Sequence, residues 1–201
     1  HSEARRKLRE AILAELQPLA LKNCTLKRFG SANDGGYLMC ENLIEPLDTG
    51  YSYGVGPNDD WACEVSRRYH VPVHEYDCFD PARPSCDGGK FVFHNECVGN
   101  RTGNRESRFF DTLENQISKN GDTGRRVLIK MDIEGGEWES LLAAPDELLA
   151  SIPQLAMEMH GFDDPRILEV LRKLKRNFYL VNLHFNNWSC TSKAAPLPAW
   201  A

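Results

Sequence analysis

Residues 126–142 read Arg126-Val127-Leu128-Ile129-Lys130-Met131-Asp132-Ile133-Glu134-Gly135-Gly136-Glu137-Trp138-Glu139-Ser140-Leu141-Leu142. Val127 to Met131 is a short, mostly apolar run of the length that suits a buried strand. Asp132 closes it, and Ile133-Glu134-Gly135-Gly136 follows as an acidic loop. Glu137-Trp138-Glu139 and the pair Leu141-Leu142 read as the first turns of a helix, where acidic residues suit the positive end of the dipole. The stretch is strand, acidic loop, helix. In an open parallel sheet, ligands sit at the carboxyl ends of the strands. Asp132 and Glu134 point to that end, although an Asp in this place can also act only as a helix cap.

The same alternation extends in both directions. Glu3 to Leu16 carries Leu8, Ile12, Leu13 and Leu16 at helical spacing, with Ser2 as N-cap, and reads as an amphipathic helix on the domain's flank. Leu26 to Cys40 contains Asn33-Asp34-Gly35-Gly36, strong turn chemistry for a hairpin. Tyr51 to Gly54, Val71 to Tyr76 and Lys90 to His94 are strand candidates, with a helix over about Asp59 to Tyr69. Cys78 to Gly89 reads as loop, as does the polar stretch through Arg105, and a helix is expected over Ser107 to Asn120. The helix that opens at Glu137 is expected to run until Pro153 stops it. Gln154 to Met159 is a fifth strand, Asp164-Pro165 opens a helix through Arg176, and Phe178 to Phe185 is a sixth strand. No repeat or linker interrupts the pattern. The expectation is one domain over 1–201, with an N-terminal helix over 1–20 and a core over 26–200. Its fold class is α/β, a doubly wound, mostly parallel, Rossmann-like sheet.

Totals exclude some functions. The 201 residues suffice for a full core, and the net charge of −5 argues against a nucleic-acid partner bound through phosphates. No apolar run approaches the roughly 18 residues of a membrane span. The chain opens on His1, which reads as a trimmed or mature form whose targeting segment is already gone. Seven cysteines include no C-x-x-C pair, against a zinc knuckle. Sequons stand at Asn23, Asn100 and Asn187, where about one is expected by chance. Cysteines and sequons together lean toward a secretory lumen or secretion; free thiols in a cytoplasmic protein are the alternative. Oligomeric state is not legible.

Gly54-Val55-Gly56 follows a strand and precedes a helix, and Asp77 lies about 20 residues on, where a ribose-binding acid belongs. The third glycine of a dinucleotide fingerprint is replaced by Asp59, with Asp60 beside it. Carboxylates there would repel a pyrophosphate. A phosphate-free ligand with a positive centre would not be repelled, and S-adenosylmethionine meets that description. Gly50-Tyr51-Ser52-Tyr53-Gly54 also matches the hydrolase G-x-S-x-G, but Ser52 falls inside the strand instead of at an elbow. A binding protein with an idle pocket is the third reading.

Lys130-Met131-Asp132-Ile133-Glu134-Gly135-Gly136-Glu137 resembles the K-[IM]-D-[IV]-E-G-x-E signature of FkbM-type methyltransferases, and in particular an animal methyltransferase-like branch. Arg28-Phe29-Gly30, Asp34-Gly35-Gly36-Tyr37, Tyr53-Gly54-Val55-Gly56, Val73-His74-Glu75-Tyr76-Asp77, Glu158-Met159-His160 and His184-Phe185-Asn186-Asn187-Trp188 extend the likeness over about residues 26 to 200. The resemblance implies a class I methyltransferase fold with S-adenosylmethionine as donor. It also implies Gly54, Val55 and Gly56 along the donor, Asp77 on the ribose, Glu96 and Cys97 beside the adenine, and Asp132 between donor and acceptor. Two features depart from the family: the loop from Cys78 to Gly89 is short for a crossover helix, and the chain stops at Ala201, where a last inserted strand would begin.

Methyl transfer to a hydroxyl of a small molecule or glycan needs an in-line acceptor and a base for its proton. Asp132 and His160 at neighbouring strand ends are the candidates, with His184 one strand further and Glu134 and Glu158 in reserve. An ordinary histidine pKa near 6.5 would suit His160 as base. Asp132, Glu134, His160 and His184 could alternatively hold Mg²⁺ or Mn²⁺. Trp138 reads as core.

Overall fold

The computed structural model describes residues 2–80, 83–185 and 197. Helix α1 (Ser2–Glu15) leads to an antiparallel hairpin of β1 (Leu26–Gly30) and β2 (Gly36–Cys40). The main sheet contains β3 (Thr49–Tyr53), β4 (Pro72–Tyr76), β5 (Lys90–His94), β9 (Val127–Met131) and β10 (Leu155–Met157). Its five strands are all parallel, in the order β10-β9-β3-β4-β5. The chain starts in the middle with β3, runs outward through β4 and β5, then returns to β9 on the other side. The order therefore reverses between β3 and β9, and the crevice at their carboxyl ends is the switch point where such sheets bind ligands.

Alternation along the strands sends side chains to two separate cores. Tyr51, Tyr53, Tyr76, Ile129 and Met131 join Trp138, Leu141, Ile167 and Val170 on one face. Val73, Leu128 and Ala156 join Phe29, Met39, Trp61 and Val65 on the other. Helix α2 (Asp60–Tyr69) covers the second face. Helices α4 (Glu137–Ala143) and α6 (Arg166–Leu174) cover the first, with α1 packed on α6. With roughly 25 cal/mol stabilisation per Å² of buried apolar surface, these two layers are what hold the sheet between its helices.

Several expectations need correction. Residues 97–112 are not loop and helix. They form a second small sheet of β6 (Cys97–Gly99), β7 (Gly103–Arg105) and β8 (Arg108–Thr112). Helix α3 (Leu113–Lys119) starts only after Thr112, whose side chain accepts from the Asn115 amide at 3.2 Å and caps it. The helix from Glu137 ends at Ala143, because Ala144 precedes Pro145 and is held extended at ψ 132. A short α5 (Asp146–Ser151) follows. Phe178 to Phe185 has strand-like composition but pairs with no strand. The expected segment past Phe185 lies outside the described residues, apart from Leu197.

Three disulfides form: Cys24–Cys40, Cys63–Cys86 and Cys78–Cys97. They fit a secreted or lumenal chain, because such bonds persist where the compartment is oxidising. Among the described residues, no helix is long and apolar enough to cross a membrane.

Candidate functional site at the sheet's switch point

Gly54 ends β3 and turns with φ +75°. A Cβ at this position would lie 1.6 Å from the carbonyl oxygen of Asp132. Only a residue without a side chain lets the two strand ends meet so closely. The loop is then tied down from both sides. The Gly54 amide donates to Tyr76 O at 2.9 Å, and the Val55 amide donates to Asp77 Oδ2 at 3.0 Å. Lys130, 5 % exposed, donates to Gly54 O at 2.6 Å from the next strand.

A cavity of about 210 Å³ sits over this junction, lined by Ser31, Asp34, Gly54, Gly56, Asp59, Asp60, Lys130 and Asp132 among others. Its charged walls are four carboxylates and one lysine. Asp59 puts a carboxylate where a phosphate would otherwise meet the N-terminus of α2. Its Oδ1 accepts from the Ala62 amide at 2.9 Å and so caps α2 with a negative charge. Its Oδ2 accepts from Ser52 Oγ at 2.5 Å. Ser52 is fully buried within β3. It is a strand residue that donates to Asp59, and the G-x-S-x-G reading has no exposed nucleophile to use.

The β1–β2 hairpin closes one side. It brings Asp34 and Gly35 to the cavity wall and the Tyr37 hydroxyl to 3.3 Å from Asp132 Oδ2. Burial, and next the charge of Asp132, push the Tyr37 hydroxyl well above its ordinary range. It therefore remains a proton donor. Asp34 and Gly35 also line a groove of about 1,190 Å³ that runs along β10 to residues 177–184. This groove takes in Glu158 and His184.

His160 stands beside Asp132 with Nε2 at 3.9 Å from Asp132 Oδ1, 3.5 Å from Glu134 Oε2 and 4.0 Å from Glu158 Oε2. Its Nδ1 donates to Glu137 Oε1 at 3.1 Å. Glu137 is wholly buried at the start of α4, where its two oxygens also accept from the Ile133 and Gly135 amides, each at 2.8 Å. The last Glu of the sequence signature thus holds the acidic loop and the histidine together. Burial alone would lower the His160 pKa, but the Glu137 bond and the charges of Glu137, Glu134 and Glu158 outweigh it and raise it to about 9. A pKa raised to that extent favours the imidazolium near neutral pH.

The remaining expected residues are distributed as follows. Glu134 adopts φ 54° and holds its side chain 86 % exposed at the rim. Asp77 spends three acceptor positions on the Val55, Phe79 and Asp80 amides. Cys97 is bound to Cys78, so the wall beyond β5 is stapled to the loop after Asp77. Glu96 is half-buried next to it. Trp138 is 1 % exposed and donates to His160 O at 2.9 Å, a core residue that also fixes the histidine's backbone.

Asp132, Glu158 and His160 offer ligand atoms within 4.8 Å of one another. Glu134 and His184, expected alongside Asp132 and His160, are not in that set. A histidine must be neutral to ligate, so a metal at this group would have to displace the His160 proton. Tyr37, Lys130 and Glu137 were not singled out as functional from sequence. All three lie in stretches that carry the family likeness, Lys130 and Glu137 in the signature itself and Tyr37 after Asp34-Gly35-Gly36, but nothing in those stretches told their roles apart. Comparison of the chain with protein-family models, with curated proteins and with solved structures returns no match.

Proposed function

We propose that the chain binds S-adenosylmethionine at the switch point and methylates a hydroxyl of a small molecule or glycan. The observation that carries this reading is the acid-walled cavity over the Gly54–Gly56 loop, with its helix N-terminus already capped by Asp59. Such a cavity suits a nucleoside ligand that is cationic and carries no phosphate. When bound, the donor supplies an electrophilic methyl on a positively charged sulfur.

Around that ligand the chain's own groups divide the work. Gly54, Val55 and Gly56 offer backbone at close approach. Asp77 keeps one of the roughly four acceptor positions of a carboxylate for a ribose hydroxyl. Glu96 and the Cys78–Cys97 bridge form the wall on the far side of the loop. Asp132 and Glu158 are the candidate bases for an acceptor hydroxyl, and His160 Nε2 lies 3.9 Å and 4.0 Å from their oxygens. Mg²⁺ or Mn²⁺ has no role in this scheme. The secretory lumen or the extracellular space is the proposed compartment.

The test is transfer of tritiated methyl from S-adenosylmethionine to a panel of hydroxyl acceptors, sugars included. Asp132→Asn should cost roughly 10²- to 10⁴-fold in rate if the carboxylate is the general base. A second reading is donor binding without turnover. Binding of the donor with no acceptor methylated across the panel would establish that alternative.

A further inference from the structure

Two of the three sequons fall on described residues, and they differ in one respect. Asn100-Arg101-Thr102 lies in the exposed turn between β6 and β7. The Asn100 Oδ1 accepts from Arg105 at 2.6 Å, while its amide nitrogen donates to nothing among the described residues. Asn23-Cys24-Thr25 lies in the exposed turn before β1, and its middle residue is bridged to Cys40. Asn42 clamps that turn further, accepting from the Thr25 amide at 2.7 Å and donating to Asn23 O at 2.8 Å.

We propose that Asn100 is an N-glycosylation site and that the Cys24–Cys40 disulfide limits glycosylation of Asn23. The three disulfides assign the chain to an oxidising compartment, the setting in which such sequons are modified. The donor is a lipid-linked oligosaccharide pyrophosphate. The asparagine Nδ2 forms a bond to the anomeric carbon, the bond from that carbon to the pyrophosphate oxygen breaks, an Nδ2 proton passes to the transferase, and the lipid pyrophosphate leaves. The transferase needs a sequon free to adopt its own bound shape. No covalent bond restrains 100–102, which is held only by hydrogen bonds: Thr102 Oγ1 donates to Asp111 Oδ1 at 2.5 Å and accepts from Asn115 Nδ2 at 3.0 Å. At 23–25 the acceptor is free only until Cys24 pairs, so folding and modification compete for the same turn. Both asparagines are exposed in the folded chain, so a bulky glycan at either position is compatible with the fold.

The experiment uses the natural full-length protein made in mammalian cells. Peptide N-glycosidase F in H₂¹⁸O marks each formerly glycosylated asparagine, and peptide mass spectrometry reads the occupancy at Asn23 and Asn100. Expected results are near-complete occupancy at Asn100, partial occupancy at Asn23, and a rise at Asn23 alone in Cys40→Ser and Cys24→Ala. Brief dithiothreitol treatment of the cells during synthesis should do the same to the unmutated chain, which covers failure of either variant to fold. Thr102→Ala should remove the Asn100 glycan and leave Asn23 occupancy unchanged; Asn100→Gln, which spares the Thr102 bond to the buried Asp111, should do the same. Unmodified Asn100, or cysteines recovered as free thiols, overturns the assignment. Occupancy at Asn23 that equals Asn100, or that ignores loss of the disulfide, overturns the competition.

Discussion

Replacing Gly54 and Gly56 one at a time by alanine separates what the fold needs from what the ligand needs. At Gly54 the backbone is at φ +75°, and the new methyl carbon would sit 1.6 Å from Asp132 O and 2.6 Å from its carbonyl carbon. The left-handed conformation costs an alanine about 1–2 kcal/mol. A carbon–oxygen pair needs about 3.3 Å, so the two strand ends must part by well over an ångström. Forced rearrangement of a packed interior costs about 1–3 kcal/mol. The sum is about 2–5 kcal/mol, a large share of the 5–15 kcal/mol typical of a folded domain. At Gly56 there is no positive φ and nothing within 4 Å, yet the residue lines the cavity. Gly56→Ala should therefore unfold within about 0.5 kcal/mol of the parent while binding S-adenosylhomocysteine more weakly. Urea denaturation gives the first number and calorimetric titration the second. A Gly54→Ala chain as stable as the parent would refute the close approach of the strand ends. A Gly56→Ala chain that binds undiminished would refute the placement of the ligand.

Other consequences can be checked independently. His160 has a folded pKa of about 9, above its unfolded value, so its stabilising contribution is complete below about pH 6.5 and is lost as pH rises through 9. Denaturation midpoints should fall between pH 7 and 10, and Glu137→Gln should flatten that slope; an NMR titration of the imidazole checks the pKa itself. Glu75 is fully buried with both oxygens unpartnered, and burial, with the charge of Asp59, raises it to about 8. A raised carboxyl pKa means stability falls as pH climbs from about 4.3 to 8, so Glu75→Gln should gain up to about 4 kcal/mol at pH 7.5 relative to its effect at pH 4. Equal stability of the two chains at pH 7.5 would show that Glu75 is ionised. The disulfides close separations of 16, 23 and 19 residues, each worth about 3 kcal/mol by loop entropy. A phosphine reductant should accordingly lower the melting temperature steeply, and an unchanged transition would argue that the bridges do not form.

The main sheet was legible because its strands are short apolar runs that end in Gly, Asp or His, and because each helix signal lay between them. The small sheet was not. Gly103-Asn104-Arg105 is polar and three residues long, and Arg108-Phe109-Phe110-Asp111 continues into Leu113 with no break except Thr112, whose capping role was overlooked. Phe178 to Phe185 failed in the other direction, since strand propensity without a partner edge decides nothing. At the site, Asp132 and Gly54 could be placed from strand–loop–helix grammar alone. The protonation of His160 could not, because it depends on Glu137, 23 residues earlier in sequence and brought beside it only by packing of α4 under the β10 exit. Cysteine pairing was equally out of reach, since spacing does not determine connectivity.

The central claim is that the switch-point cavity takes a cationic, phosphate-free nucleoside. Isothermal titration of the purified chain with S-adenosylmethionine and S-adenosylhomocysteine, beside NAD as a phosphate-bearing control, tests it most directly. The account predicts micromolar binding of the first two, weakened by Gly56→Ala, and none of NAD. Binding of NAD, or no heat from either adenosyl ligand with a chain shown to be folded, would contradict it.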